Sequence, residues 1–227
     1  APGVSYNGRM FVHLRVHTEF SIVDGTNRID EIVKAAQDDH QPALAITDLN
    51  NLFGAIKFYE AARAKGVQPI VGCDLWLTNE RNRDAAYRMP LLVRNRAGYL
   101  KLCDLLPRAH AENHWRGRAE VKGEWLAGCE GLIALSGGEA GDIGAALASG
   151  NAAHAEALAR EWAKDFPGAF YIELQRVDPV RSASAVQAMV NLASRLAIPV
   201  VATHPIQFVR PGDFRAQAMK AVENLKL

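Results

Sequence analysis

Short apolar runs alternate with amphipathic segments along most of this chain. Seven of the runs are rich in β-branched residues or leucine and predict strands, at residues 11–17, 43–47, 68–77, 89–95, 131–136, 169–175 and 199–203. Most of these runs show no polar alternation, which is typical of parallel strands that are covered on both faces. The pattern therefore predicts a buried parallel sheet.

Helical periodicity fills the segments between the predicted strands. It predicts helices at residues 28–39, 52–65, 99–111, 142–148, 152–165 and 180–196, and a final helix that starts near residue 213. In the first of these, Ile29, Ile32, Val33 and Ala36 share one helix face and predict an apolar stripe against the sheet. Strands that alternate with helices predict a parallel α/β fold, and a closed barrel and an open doubly wound sheet stay as alternatives.

The composition indicates a globular protein. Of the 227 residues, 49% are hydrophobic and 22% are charged, and the net charge of +1 gives no general attraction to nucleic acid. Cys73, Cys103 and Cys129 are widely spaced and odd in number, so we expect neither a disulfide framework nor a zinc site built from paired cysteines. No apolar run reaches the roughly 18 residues of a membrane span, and we expect a cytoplasmic protein.

Both ends of the sequence bear on its domain boundaries. Residues 1–9, APGVSYNGR, resemble an expression-tag remnant, with Met10 as the natural start. The last residues open a helix after Gly212 and reach the end of the sequence without a C-cap. We therefore interpret residues 10–227 as one domain of a longer protein.

The segment at residues 11–25 carries the clearest chemical signal. Histidines two residues apart on a strand point to the same face and can hold one metal ion, and a carboxylate shortly afterwards can bridge to a second. Here Arg15 and His17 occupy the two positions and Asp24 supplies the carboxylate, but arginine cannot ligate a metal. His13 is in phase with both along a strand. This pattern is typical of a metal-hydrolase site that has lost a ligand.

Further candidates follow the ends of other predicted strands, where barrels of this kind place their functional groups: Asp48, Asp74, Ser136 and His204. For Asp48 we favour a structural alternative, the N-cap of the helix that starts near residue 51. Gly137 and Gly138 could offer backbone N–H groups to a phosphate, or could form a tight turn. Residues 109–123 form a basic loop, which we interpret as a solvated face rather than a partner contact.

Four segments of the chain resemble one family, in order and at the expected spacing: FVHLRVHTEFSIVDG, PALAITDLNNLFGAIKFYEAARAKGVQPIVGCDLWL, GLIALSGGEAGDIG and IPVVATHPIQFVRPGDF. They are similar to the N-terminal polymerase-and-histidinol-phosphatase (PHP) domain of bacterial replicative DNA polymerase III alpha subunits. The resemblance implies a distorted seven-stranded (β/α)7 barrel, a TIM-barrel-like PHP fold. It also implies that active relatives hold zinc, manganese or iron ions in a cleft and hydrolyse phosphoesters.

The resemblance also implies a degenerate metal site. Three family ligand positions keep a plausible ligand, namely His17, Asp24 and Asp74. The other family positions are lost as ligands and fall on Arg15, Leu49, Arg88, Gly138, Pro205 and Gln207. We therefore expect no metal, no cofactor and no catalytic residue in this chain.

Arg15 and Arg88 indicate what could have replaced the metal ions. Carboxylates left in a metal-free pocket would repel one another, and a guanidinium can neutralise one of them through paired hydrogen bonds. We predict an ion pair between Arg15 and Asp24 or Asp74. Both arginines are also candidates for binding phosphate.

The leading functional hypothesis is a non-catalytic PHP domain with a structural role in DNA replication. The resemblance implies two partners, the other domains of the polymerase alpha subunit and the proofreading exonuclease (epsilon) subunit. Contact with DNA would come only through the parent polymerase, whose magnesium-dependent active site lies in another domain. The alternative is a residual metal-dependent phosphoesterase, either a 3′–5′ exonuclease or a pyrophosphatase, that uses His17, Asp24 and Asp74. An unrelated α/β-barrel enzyme would need a complete catalytic set at the strand ends, which the sequence does not contain.

Overall fold

The computed structural model of the chain describes residues 11–178, 180 and 182–214. Two units divide the chain, Ala1–Cys73 with Pro205–Leu227 as unit 1 and Asp74–His204 as unit 2. The expected tag remnant at residues 1–9 and the final helix beyond residue 214 lie outside the described residues.

Unit 1 is built from two helices packed on a pair of parallel strands. Its elements are α1 (Ile29–Asp38), β1 (Ala43–Ile46), α2 (Ala55–Ala64), the first part of β2 (Gln68–Leu77) and a short 3-10 turn at Pro211–Asp213. β1 pairs with β2 in parallel, from Ala43 opposite Gln68 to Ile46 opposite Val71. The stripe predicted on α1 is buried, with no member more than 5% exposed, and it packs in one core with Phe58 of α2.

Unit 2 continues the α/β pattern. Its strands are the end of β2, β3 (Tyr87–Val93), β4 (His114–Trp115), β5 (Arg118–Ala119), β6 (Leu132–Leu135), β7 (Phe170–Gln175) and β8 (Val200–Thr203). Its helices are α3 (Arg96–Glu112), α4 (Asp142–Ala148), α5 (Ala152–Asp165) and α6 (Ala183–Leu196), with 3-10 turns at Gly123–Leu126 and Gly138–Ala140. The hydrogen-bonded strand order in this unit is β2, β3, β6, β7, β8. Its core includes Leu75, Met89, Leu91 and Ile172, all fully buried.

The α/β class is confirmed, but the prediction that residues 11–17 form a strand is wrong. Within this segment one isolated bridge forms, Val16 opposite Ile206. Here side chains bind backbone groups that would pair with a neighbouring strand in a sheet. Val16 N donates to Thr47 Oγ1 at 2.9 Å, and His17 O accepts from Asn27 Nδ2 at 2.8 Å. The described residues thus hold six of the seven expected strands, together with the two-residue strands β4 and β5.

The expectation of a wholly parallel sheet also needs correction. β3 runs antiparallel to β6, with Leu91 opposite Ala134, whereas β6–β7 and β7–β8 are parallel. β3 lies next to β2 in the sheet, and the link between them, residues 78–86, contains no helix. Parallel neighbours need a crossover of a dozen or more residues, so a link this short makes the chain reverse its direction at β3.

Residues 109–123 are not the loop that we expected. They contain the last turn of α3 and a hairpin in which β4 pairs antiparallel with β5. Arg116 and Gly117 both have positive φ, 45° and 81°, as the tightest hairpin turns require. Each strand has only two residues, so no alternation could mark it in the sequence.

The three cysteines are free, with Cys73 and Cys129 buried and Cys103 exposed. Among the helices that the structure describes, none has the length and apolar character to cross a membrane.

Candidate functional site

A tight loop in unit 1, residues 18–25, positions Asp24. Ser21 N donates to Thr18 O at 2.9 Å, and Gly25 N donates to Ser21 O at 2.9 Å. A Cβ on Gly25 would come within 1.9 Å of Thr18 O, so only glycine allows this close approach. The turn thereby holds the carboxylate of Asp24 next to His17.

Donors from three parts of unit 1 surround Asp24. His17 Nδ1 hydrogen-bonds Asp24 Oδ1 at 2.8 Å, and Ser21 Oγ donates to the same oxygen at 2.7 Å. Gln207 Nε2 donates to Asp24 Oδ2 at 3.2 Å, although the two residues are 183 positions apart. Both carboxylate oxygens of Asp24 therefore accept hydrogen bonds from protein groups.

Asp74 and Arg88 form a two-pronged ion pair in unit 2. Arg88 Nε donates to Asp74 Oδ1 at 3.2 Å, and Arg88 Nη2 donates to Asp74 Oδ2 at 2.6 Å. Asp74 is fully buried, and the guanidinium of Arg88 also lies 4.6 Å from the ring centroid of Trp76. The expected position of Asp74 needs correction, because Asp74 lies inside β2 rather than after it, and Arg88 lies on β3. A planar fork matched to a carboxylate is the geometry that arginine provides and lysine does not.

Asp48 does not cap a helix, so our preferred interpretation of that residue is wrong. α2 begins only at Ala55, and its N-cap is Gly54, which has no side-chain cap. Asp48 is 1% exposed and accepts hydrogen bonds from Thr18 N at 2.6 Å and Thr18 Oγ1 at 2.8 Å. It therefore fixes the start of the loop that carries Asp24. Burial raises the pKa of Asp48 above its usual 3.8, and the hydrogen bonds from Thr18 oppose this rise.

The raised pKa of Asp48 predicts a pH-dependent effect of Asp48→Asn. In the window that starts at 3.8 and ends at the higher pKa of the folded state, the folded protein binds more protons than the unfolded one. The contribution of Asp48 to stability therefore falls as pH rises through this window. An asparagine keeps the acceptor for Thr18 N and can donate to Thr18 Oγ1. We expect the unfolding free energy of Asp48→Asn, relative to the unmodified chain, to rise from pH 3 to pH 7 in urea titrations; a constant or falling difference would contradict this.

Three other positions named from the sequence, Gly138, Ser136 and His204, lie in unit 2. Gly138 has a φ of +59°, and a Cβ there would meet Gln175 Cδ at 2.9 Å. Ser136 Oγ accepts from Glu173 N at 2.9 Å. His204 is exposed. At the position where the resemblance places a cysteine or histidine ligand, the side chain of Gln175 thus occupies the space.

Glu173 is a buried carboxylate that sequence reasoning missed. It is fully buried in β7, and its Oε1 accepts from Thr203 Oγ1 at 2.5 Å and from Gln175 Nε2 at 2.9 Å. A glutamate that directly follows the apolar residues Phe170–Ile172 within a predicted strand is the signal that the sequence offered. Its oxygen is held by donors of the protein, as in the other two carboxylate sites.

Two of the positions that the resemblance implies are lost as ligands lie in the interior of unit 1. Arg15 is 5% exposed and Leu49 is 6% exposed. Ile206 N donates to Arg15 O at 3.0 Å, and Leu49 N donates to Ser21 Oγ at 3.0 Å. These backbone bonds support the loop around Asp24. The ion pair of Arg15 with Asp24 or Asp74 stays a prediction.

The donor atoms of these residues do not fit a metal ion as they are arranged. Within residues 11–178, 180 and 182–214, no group of three or more His, Cys, Asp or Glu side chains converges in a way that could hold one. His17 Nδ1 faces Asp24, and both oxygens of Asp74 face Arg88. A metal at either carboxylate would have to displace a cation or an amide that already neutralises or solvates it.

The basic residues of the β4–β5 hairpin are balanced by carboxylates. Arg83 and Arg118 both pair with the fully buried Glu120, at 3.1 and 3.3 Å. Arg116 pairs with Asp84 at 2.9 Å. This balance favours the interpretation of a structural, solvated face.

The fold is α/β, and the buried carboxylates Asp74 and Glu173, like Asp24, are each held by donors of the protein. The PHP domain model matches residues 13–177, and the chain therefore belongs to the PHP domain family.

Curated relatives named DNA polymerase III subunit alpha match most of the chain. The chain is 44% identical over 207 residues to the DNA polymerase III subunit alpha of Pseudomonas fluorescens and 44% identical over 211 residues to that of Neisseria meningitidis serogroup A. It is 36% identical over 211 residues to that of Escherichia coli K12. These matches cover 91 to 92% of the chain but only 18% of each relative, so the chain spans about a fifth of their length.

Solved structures support the fold. An amidohydrolase from Chromobacterium violaceum, described with bound sulfate and no metal, superposes with a TM-score of 0.57 at 14% identity, covering 92% of this chain and 96% of the other. A structure described as a metal-dependent phosphoesterase from Bifidobacterium adolescentis gives 0.54 at 11% identity, covering 95% and 98%. At these identities the likeness concerns the fold alone.

Proposed function

We propose that this chain is a non-catalytic PHP domain of a DNA polymerase III alpha subunit. In this proposal, protein side chains bind the carboxylates that metal ions bind in active relatives. The observation that carries the proposal is the Arg88 fork on the buried Asp74, at 3.2 and 2.6 Å. By resemblance, Arg88 stands at a ligand position of the family. A guanidinium there supplies the positive charge that a metal would bring, and it cannot ligate one.

Asp24 supports the same proposal. Gln207 stands, by resemblance, where the family's closing histidine falls, and its amide donates to Asp24 Oδ2 at 3.2 Å. Hydrogen bonds from His17 and Ser21 hold the other oxygen. Because each remaining acid is held by a residue at a substituted position or by its own loop, the arrangement has a structural use without a metal.

The role of the domain is then in assembly. We propose that it packs against the other domains of the alpha subunit and docks the proofreading exonuclease subunit. The similarity to alpha subunits supports this part, and a separate exonuclease would make hydrolysis by the PHP domain dispensable. Purified chain and exonuclease subunit should then elute together as a 1:1 complex in size-exclusion chromatography; separate elution at micromolar concentrations would remove the docking role.

Hydrolysis assays test the non-catalytic part of the proposal. The chain is incubated with bis-p-nitrophenyl phosphate, with single-stranded DNA and with pyrophosphate, each in zinc or manganese. We expect rates equal to those of His17→Ala, which removes the nitrogen ligand that active relatives would need. A metal-dependent rate that His17→Ala reduces tenfold or more would favour the residual phosphoesterase instead, since loss of even an outer-shell partner of a metal site typically costs about 10- to 100-fold.

A further inference from the structure

The outward face of α2 carries large apolar side chains. Phe53, just before the helix, and Ile56 and Tyr59 within it recur at every third residue and are 71%, 70% and 51% exposed. The inward face of the same helix buries Phe58 and Ala62 in the core of unit 1. A helix on the surface of a globular protein normally presents polar residues outward, so an exposed apolar row beside the charged Lys57 and Glu60 is unusual.

The neighbouring helix α1 shows that this is a particular property of α2. Both helices pack on the core of unit 1, but the outward positions of α1 are charged. They include Asp30, Glu31 and the exposed pair Lys34–Asp38, whose Nζ and Oδ2 atoms lie 2.7 Å apart. Single exposed apolar residues are ordinary, whereas a row of three with further apolar neighbours makes this face a candidate interaction surface.

The loop that carries Asp24 adds to this surface. Ile22 and Val23 are 64% and 45% exposed. The loop is held against the start of α2, because Asn51 Nδ2 donates to Phe20 O at 3.0 Å and Lys57 Nζ lies 3.2 Å from Glu19 Oε1. We call Ile22, Val23, Phe53, Ile56 and Tyr59 the α2 patch.

We infer that the α2 patch is covered by another domain of the same polymerase chain, an inference that rests on the proposed function. The curated relatives extend far beyond this chain, which covers 18% of their length, so more than four-fifths of each lies outside the match. The occupant needs an apolar centre to match the patch and a polar rim to meet Glu60 and Arg63, which are exposed beside it.

The size of the patch favours an occupant in the same chain. A stable complex between separate proteins buries about 800 Å² and about 20–30 residues on each side. The five side chains of the α2 patch are far fewer than this, so the contact that they form is smaller than a stable interface between separate proteins. Domains joined by a linker meet at millimolar effective concentration and therefore need less contact area than separate proteins.

Hydroxyl-radical footprinting tests the inference without any substitution. Modification rates of Phe53, Ile56 and Tyr59 are measured in this chain and in the alpha subunit that carries it. We expect rates at least about threefold lower in the alpha subunit. Equal rates would overturn the inference. Modification rates that fall only after the exonuclease subunit is added would also overturn it, since they would identify a separate partner. Rates in the isolated chain that fall as its concentration rises would do the same, since they would identify a second copy of the chain.

Ile56→Asp tests the same contact by substitution, with Leu100→Asp on α3 as the matched control because Leu100 is also exposed, at 53%. In the alpha subunit, Ile56→Asp should restore the modification rate of Tyr59 to that of the isolated chain, and Leu100→Asp should not. The unfolding midpoint of the isolated chain should stay unchanged in both variants, since both positions are solvated. Tyr59 that stays as protected in Ile56→Asp as in the unmodified subunit would overturn the inference. Metal-dependent hydrolysis would overturn the proposed function while leaving these footprints unaffected, so the two failures are distinguishable.

Discussion

Arg88→Ala should lower the free energy of unfolding by about 3–5 kcal/mol, because it removes a two-pronged ion pair from the fully buried carboxylate of Asp74. The side chain of Arg88 is itself only 13% exposed, so water cannot easily replace the guanidinium. The measurement is urea denaturation at pH 7, followed by circular dichroism.

Two further variants separate the charge pair from its packing. Asp74→Leu combined with Arg88→Met removes both charges at similar volume, and it should recover most of the loss or exceed the unmodified chain, as apolar replacements of buried pairs often do. Arg88→Lys keeps the charge but not the two-pronged geometry, so its stability should lie between those of the unmodified chain and Arg88→Ala. A loss below about 1 kcal/mol in Arg88→Ala would mean that Asp74 does not depend on this guanidinium.

Gly138→Ala should destabilise the chain by about 2–3 kcal/mol, for two reasons that add. The backbone at Gly138 has a φ of +59°, where any Cβ costs about 1–2 kcal/mol. The new Cβ would also meet Gln175 Cδ and Oε1 at 2.9 Å, so the end of this flexible side chain must shift and loosen its hydrogen bond to Glu173 Oε1, at a cost of about 1 kcal/mol. If both terms hold, a ligand side chain could not simply be restored at this family position.

A double-mutant cycle separates the two terms. Gln175→Ala removes the crowding atoms, so the cost of Gly138→Ala should drop by about 1 kcal/mol or more in that background, while the backbone strain persists. Gln175→Ala alone has its own cost, because Gln175 Nε2 donates to Glu173 Oε1. Strictly additive effects would show that Gln175 does not crowd the position.

Sequence patterns located most elements because the elements are long or continuously apolar. The predicted bounds of β2 at 68–77 and of α5 at 152–165 agree with the structure. Residues 11–17 failed because Thr47 and Asn27 side chains take backbone hydrogen bonds there, and hydrophobic periodicity does not register such bonds. The direction of β3 failed for another reason, since strand direction depends on the connection and not on the pattern within the strand.

The residues of the site were accessible from the sequence, but their pairing was not. Resemblance named Asp24, Asp74, Arg88 and Gln207, whereas the contact of Gln207 with Asp24 joins positions 183 residues apart. Asp48 was misassigned as a helix cap because Asn51 takes over the turn ahead of α2: its side chain donates to Phe20 O and accepts from Phe53 N. Such local competition between side chains and backbone depends on the folded arrangement.

The metal content of the purified chain tests the central claim most directly. The chain is equilibrated with zinc and manganese, desalted and analysed by elemental mass spectrometry. We predict less than about a tenth of an equivalent of either metal, because the ligand atoms of Asp24 and Asp74 are held by protein donors. One equivalent or more of either metal, lost in His17→Ala, would contradict the account and establish a working metal site.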